Sequence, residues 1–254
     1  MAKKQKIKIT KRSKKKSKSS IKAIVIGALL IGLSVIAYFY YSKDIKVVNK
    51  EEVVKSIPEG FPAFGIDVSH HQGEIEWEKL FVKERYDTII HFVYCKATEG
   101  SDHLDTQWKK NRAELQRLNI PNGAYHFFSP QTEPRPQAAH FLAHWKKSDL
   151  DLPPVLDVES EGFSDEDLIA KMKIWLKVVE DKTGMRPIIY TSLNFFETKF
   201  INDFKNYKFW IAAYSRKPEC IDDSRIIHWQ YSEAGELPGF AEKVDLNVSK
   251  IALR

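Results

Sequence analysis

The chain has 254 residues, of which 43% are apolar, 12% aromatic and 29% charged, a balance that excludes a disordered, collagen-like or disulfide-stapled chain. The net charge of +6 comes from one end: residues 1–22 hold 11 Lys/Arg and no Asp/Glu, so the rest carries 29 basic against 34 acidic side chains. A remainder with that acidic excess lacks the basic footprint of a nucleic-acid binder, and no nucleic-acid partner is expected.

Residues 1–22 read as a solvated polybasic segment. Residues 23–41, AIVIGALLIGLSVIAYFYY, follow without a charge or a proline. As a helix this run spans about 28 Å, close to the hydrocarbon thickness of about 30 Å. Tyr38, Phe39, Tyr40 and Tyr41 cluster at one end as an interfacial belt would, and the basic residues lie beyond the other. The positive-inside rule then predicts a single-pass signal anchor, with residues 1–22 cytoplasmic and the main domain extracytoplasmic. The rival reading is a signal peptide cut after Val35-Ile36-Ala37, which gives a secreted protein. Residues 42–60 hold four Lys and four Asp/Glu and are expected as a linker. The main domain is expected over residues 61–254.

Eight β-rich runs follow: FGIDVS (64–69), TIIHFVYCKA (88–97), GAYHFF (123–128), PPVLDVE (153–159), RPIIYTS (186–192), FWIAAYS (209–215), IIHWQYS (226–232) and VDLNVS (244–249). Helical patterns separate the earlier ones, at 104–118, 136–147 and 165–182. In the last of these Ile169, Met172, Trp175, Leu176 and Val179 form an apolar stripe, Ser164 is a start signal and Gly184 a stop. The last three strands are too closely spaced for full crossover helices. The spacing predicts an α/β fold of irregular, TIM-like (β/α)5(β)3 type, a closed parallel-type barrel, with a doubly wound open sheet as the alternative.

Chemistry in such a barrel gathers at the C-terminal ends of strands. Asp67 lies on the first run, Asp157 and Glu159 on the fourth and Asp245 on the eighth. The period of two puts Asp157 and Glu159 on one face, with Cα atoms about 6.5–7 Å apart and Val158 turned outward between them. Paired carboxylates resist simultaneous ionisation, which keeps a proton available for acid catalysis of glycoside cleavage. First and last strands adjoin in a closed barrel, so Asp67 and Asp245 are expected as neighbours. Clustered carboxylates also suit a hard cation. The aromatic load argues instead for sugar rings, and Tyr125, Phe127, Tyr190, Trp210 and Tyr214 are the candidate platforms, with Gln230 beside them as a further candidate contact. His140 and His144 have metal-compatible spacing but no evident third ligand, so no metal or cofactor is expected. His70 and His71, as neighbours in an extended strand, are expected on opposite sides with one lining the site. Pairing of Cys95 with Cys220 is left open.

At these residues the chain resembles the Chalaropsis-type lysozymes, glycoside hydrolase family 25. The motifs GIDVSHHQG (65–73), KATEG (96–100), GAYHFF (123–128), PVLDVE (154–159), IIYTS (188–192), WIAAY (210–214), WQYS (229–232) and VDLN (244–247) stand in the family's order. The resemblance implies the same irregular barrel. It also implies cleavage of the β-1,4 bond between N-acetylmuramic acid and N-acetylglucosamine in peptidoglycan. It assigns Glu159 as the acid, Asp157 as its assisting aspartate, and Asp67 and Asp245 as the other two carboxylates. A substrate-assisted route through the 2-acetamido group is expected from the shared face of Asp157 and Glu159, with Asp67 or Asp245 as a direct nucleophile or water-activating base as the alternative, and with a monomeric catalytic domain. The rivals are a membrane-tethered glycan-binding domain and another barrel glycosidase such as a chitinase.

Overall fold

A computed structural model describes residues 26–27, 31–34, 56–80, 90–149, 151–215 and 217–252. Two compact units are distinguished, Met1–Val47 and Val48–Arg254. In the first, the described residues 26–27 and 31–34 are helical. The basic segment 1–22, most of the expected span 23–41 and residues 42–55 of the expected linker lie outside the described residues. Among those described, no helix is long and apolar enough to cross a membrane.

The second unit is a closed barrel. Its strands are β1 (Ala63–Val68), β2 (Ile90–Glu99), β3 (His103–Leu104), β4 (Asn122–Phe127), β5 (Val155–Val158), β6 (Ile188–Ser192), β7 (Lys208–Ala212), β8 (Ile226–Gly235) and β9 (Val244–Ser249). Eight of them are staves in the order β1, β2, β4, β5, β6, β7, β8, β9, and β9 pairs back to β1. The two-residue β3 is an antiparallel flap on the end of β2. Neighbouring staves are parallel throughout, except that β9 is antiparallel to both β8 and β1. This departs from the all-parallel expectation, and the cause is chain length. Residues 236–243, which join β8 to β9, are too few for the crossover that a parallel return requires.

The helices are α1 (Trp77–Leu80), α2 (Trp108–Arg117), α3 (Pro134–His144), α4 (Asp165–Thr183) and α5 (Leu193–Phe195). In α4 the Ser164 hydroxyl accepts from the Asp167 amide, three acids occupy the first turn and Gly184 ends the helix in the left-handed region at φ 70°. Its buried stripe is Leu168, Met172, Trp175, Leu176 and Val179, with Ile169 at the margin. The pattern expected over 104–118 starts later, at Trp108. Leu104 belongs to β3, and the Asp105 side chain accepts from the Gln107 amide, turning the chain before the helix begins.

Period-two alternation divides the apolar residues into two layers. Phe64, Ile66 and Val68 of β1, Val93 and Cys95 of β2, and Leu156 and Val158 of β5 join the helices in an outer core. Phe92, Tyr94, Val155, Ile188, Tyr190 and Trp210 fill the barrel itself. Two glycines make room for that filling. A Cβ on Gly65 would lie 2.5 Å from the Phe92 ring, and one on Gly123 would lie 2.0 Å from the Tyr94 ring. β1 and β4 therefore lack side chains where the rings of β2, the stave between them, cross the barrel floor. Cys95 and Cys220 are both free thiols.

On the outer wall, buried His126 stacks on Trp175 with centroids 5.3 Å apart. Burial pushes its imidazole down to about 3, so it stays neutral at physiological pH. Its Nδ1 meets the Thr98 hydroxyl at 2.8 Å and its Nε2 meets Gln137 Oε1 at 3.2 Å. The Gln137 amide clamps both the N–H and the C=O of Ser129, each at 2.9 Å, and so ties the exit loop of β4 to α3.

Gly123→Ala should destabilise the protein by about 1–3 kcal/mol through overpacking against Tyr94. Urea unfolding should recover part of that loss when Gly123→Ala is combined with Tyr94→Leu, and strictly additive effects would contradict the shared floor.

Candidate active site

Above the aromatic floor the barrel opens into a cleft with a cavity volume of about 250 Å³. Most of the inward positions at the rim supply a polar group. Asp67 is the last inward residue of β1, and Asp157 and Glu159 stand on and just past β5. Asp245 is the second residue of β9, near its N-terminal end. The reversed direction of β9 brings that end to the rim where the other staves finish, and Asp245 lies opposite Asp67 in the register.

All four acids and all six candidate contacts, Tyr125, Phe127, Tyr190, Trp210, Tyr214 and Gln230, line this one cleft. They differ in exposure. Tyr214 is 47% exposed, whereas Trp210 is 2% exposed and forms floor rather than open platform. Gln230 is buried and makes its contacts to the protein.

A directed set of hydrogen bonds ends on Asp67. Tyr190 and Tyr214 both donate to Gln230 Oε1, at 2.8 and 2.7 Å. Gln230 Nε2 then donates to Asp67 Oδ2 at 2.9 Å. From the other side the Trp210 indole donates to Asn247 Oδ1 at 2.8 Å, and Asn247 Nδ2 donates to Asp67 Oδ2 at 2.7 Å. Burial pushes the Asp67 carboxyl up to about 6 against the lowering effect of these two donors. Burial and the adjacent Asp67 charge push Asp245 up to about 8. One proton is thus shared across β1 and β9.

The second pair is vertical. Asp157 is 5% exposed, whereas Glu159 is exposed at the mouth. Burial, then the charge of Glu159 and a hydrogen bond to it, holds the Asp157 carboxyl well above the usual carboxylate range. Asp157 Oδ1 is buried without a hydrogen-bond partner. Among the described residues that oxygen is left free to accept from a group entering the cleft.

The sequence reading passed over several lining residues. Lys96, 8% exposed, is the one Lys or Arg of the lining among the described residues, paired with Glu99 Oε2 at 2.7 Å and 4.7 Å from the Phe127 ring centroid. In the sequence it lies within KATEG, where nothing in the pattern marks it. Asn247 is fully buried and touches Asp67, and the period of two from Asp245 could have pointed to it. Glu233 adds a fifth carboxylate, on the part of β8 that projects past the barrel. Ser69 and Gln72 form a capping box at the exit of β1, and Gln72 Nε2 ties that turn to the Lys243 carbonyl at 3.0 Å. His71 lines the cleft, while His70 pairs with Asp105 at 2.8 Å. The two rings do not diverge as expected; their centroids are 4.1 Å apart. They sit on a 3-10 turn, where successive side chains are about 120° apart rather than 180°.

The family model of Glycosyl hydrolases family 25 matches residues 66–240, a span that holds three of the four acids and most of the cleft. The chain belongs to glycoside hydrolase family 25. It is 35% identical over 220 residues to the YegX protein of Escherichia coli O6:H1, covering 83% of this chain and 81% of that one. It is 28% identical over 203 residues to Lysozyme M1 of Streptomyces globisporus, covering 72% of this chain and 66% of that one. A solved family 25 glycosyl hydrolase from Bacillus anthracis matches with a TM-score of 0.69 at 29% identity, over 76% of this chain and 91% of that one.

The raised acids of this glycoside hydrolase give its stability a pH dependence. Between the unfolded and the folded values the native state holds more protons than the unfolded chain, so stability falls as pH rises from about 4 to about 8. Asp245→Asn removes an ionisation that the fold resists. Thermal unfolding should show a higher Tm for Asp245→Asn, with a gap over the wild type that widens between pH 5 and pH 8.5. An equal gap at both pH values would contradict the assignment.

Proposed function

We propose that this family 25 domain is an N-acetylmuramidase, cleaving the β-1,4 bond between N-acetylmuramic acid and N-acetylglucosamine in peptidoglycan. The observation that carries the reading is the pairing of a buried, proton-holding Asp157 with an exposed Glu159 in a cleft walled by tyrosines. The lysozyme and muramidase names of its relatives support the substrate class.

The two carboxyls need only one proton between them. At rest it sits on Asp157, hydrogen-bonded to Glu159. When a glycan strand enters, the proton passes to Glu159 and from there to the glycosidic oxygen, so the leaving sugar departs as an alcohol. Asp157 becomes a carboxylate in the same step. Its Oδ1 accepts the N–H of the 2-acetamido group, whose carbonyl oxygen attacks the anomeric carbon. Water then opens the cyclic intermediate, with Glu159 taking back a proton, and the configuration is retained. Asp67 and Asp245 lie on the opposite wall and contribute one negative charge near the developing oxocarbenium centre.

We further propose that residues 23–41 hold the domain at a membrane as a single-pass anchor, with residues 1–22 cytoplasmic and the domain outside, where tethering substitutes for charge attraction to an anionic wall. The support is the apolar run and its flanking charges. Cell fractionation with intact-mass analysis checks this: the full-length chain in the membrane fraction is expected, and a soluble form starting at Tyr38 would show a cleaved signal peptide.

Purified peptidoglycan treated with the protein should yield new N-acetylmuramic acid reducing ends, and Glu159→Gln should slow their release at least about 100-fold. New N-acetylglucosamine ends would place the protein in another glycosidase class, and glycan binding without cleavage would make it a binding module. NMR of the first-formed anomer should show retention; an inverted product would eliminate the substrate-assisted route.

A further inference from the structure

We propose that Trp210, acting through Asn247, is a positioning residue that makes Asp67 the ionised member and Asp245 the proton-bearing member of the pair across β1 and β9. The proposal rests on the hydrolase reading only for its consequence in catalysis.

The argument is one of donor and acceptor inventory. An indole N–H can only donate. Trp210 Nε1 is 2.8 Å from the Asn247 amide, which must therefore present its oxygen to the indole. That choice turns the amide nitrogen to Asp67 Oδ2, at 2.7 Å. Gln230 adds a second N–H to the same oxygen at 2.9 Å. Its own orientation is held by Tyr190 and Tyr214, but phenol hydroxyls can donate or accept, so only the indole forces a direction. Asp245 lies opposite in the register, and among the described residues no amide or indole N–H is hydrogen-bonded to its carboxyl. Two donors on one acid and none on its neighbour place the negative charge on Asp67 and the proton on Asp245. Burial of Trp210 keeps water from replacing the indole as a donor.

The other titratable groups facing the pair are His71 on the turn after β1, Lys96 of β2, Asp157 and Glu159 at β5, and Glu233 of β8, with the phenols of Tyr125, Tyr190 and Tyr214, which burial keeps neutral. Tyr190 packs on Trp210 with centroids 4.9 Å apart, so Trp210→Phe touches the Gln230 arm as well, whereas Asn247→Leu leaves every one of these groups in place. A shift common to both variants therefore reports the indole–amide arm.

The test uses the full chain labelled with 13C at the Asp carboxyl carbons, as wild type, Trp210→Phe, Asn247→Leu and the double variant. Trp210→Phe keeps an aromatic ring and deletes the N–H; Asn247→Leu keeps bulk and deletes the donor. In each single variant the lower-titrating carboxyl of the pair should move up by about one pH unit, the size of a lost hydrogen bond to a charged group. The double variant should move it no further. The acid limb of kcat/KM on peptidoglycan should shift the same way. The titration needs no substrate, so a shift in a protein without hydrolase activity would still support the proposal while removing the function proposed above. An unmoved titration in folded Asn247→Leu, or in Trp210→Phe with only a lower rate at every pH, would overturn it.

Discussion

The antiparallel pairing of β9 with β1 sets Asp67 opposite Asp245 and joins the two ends of the barrel. Were β9 parallel, its second residue would lie at the floor, and Asp245 would be buried among Phe92, Tyr94 and Trp210. Reversal of one strand converts a carboxylate near a strand start into a rim residue. The same reversal brings Asn247, two residues deeper, level with the Trp210 indole below Asp67. The closing strand thus completes both the barrel and one wall of the site, with side chains alternating inward at 245, 247 and 249.

Below the rim, the floor and the acids depend on one another. Buried carboxylates are costly unless something accepts or supplies their proton or donates to their oxygens. Here Asp67 takes two amide donors, Asp245 shares the proton, and Asp157 keeps a proton against Glu159. The amides are themselves held by Tyr190 and Trp210 of the barrel filling and by Tyr214 at its rim. Trp210 packs on Tyr94, and the Tyr94 and Phe92 rings fit because Gly123 and Gly65 leave space beside β2. A chain of packing therefore runs from two hydrogen side chains, through aromatic rings, to the charge state of the cleft.

Much of this was legible in the sequence. All eight staves were readable, because short aromatic and β-branched runs recur between helical patterns and most of them end in Ser, Thr or an acid. The period of two put Asp157 and Glu159 on one face and turned Val158 outward, and the structure has that arrangement. The strand direction was not legible as parallel or antiparallel from composition, although the short link after β8 held the information. Asn247 and Lys96 were missed for another reason. The period of two puts Asn247 on the face of Asp245, but neither a buried amide nor a buried lysine carries a compositional mark, since its meaning lies in a partner far along the chain. The His70 and His71 rings failed the strand rule because the chain leaves the sheet at Ser69, where the capping box with Gln72 starts a tighter turn.

Hydrogen-bond direction is the level at which sequence reading of this site runs out and structure takes over. Trp210 reads from its strand position as a sugar platform, and as an aromatic it also suits a barrel floor. Only its exposure of 2% and its bond to Asn247 separate those roles. An exposed ring would act on substrate through its face. A buried ring with one donor atom acts through that atom, and the effect travels along the acceptor–donor polarity of the next amide. Tyr214 shows the contrast. It is 47% exposed with its hydroxyl bonded inward to Gln230, so its face remains free for a sugar while its edge belongs to the network. Aromatic residues at one rim thus divide into those with a face open to the cleft and those that bond the acids from below, and burial rather than residue type makes the division.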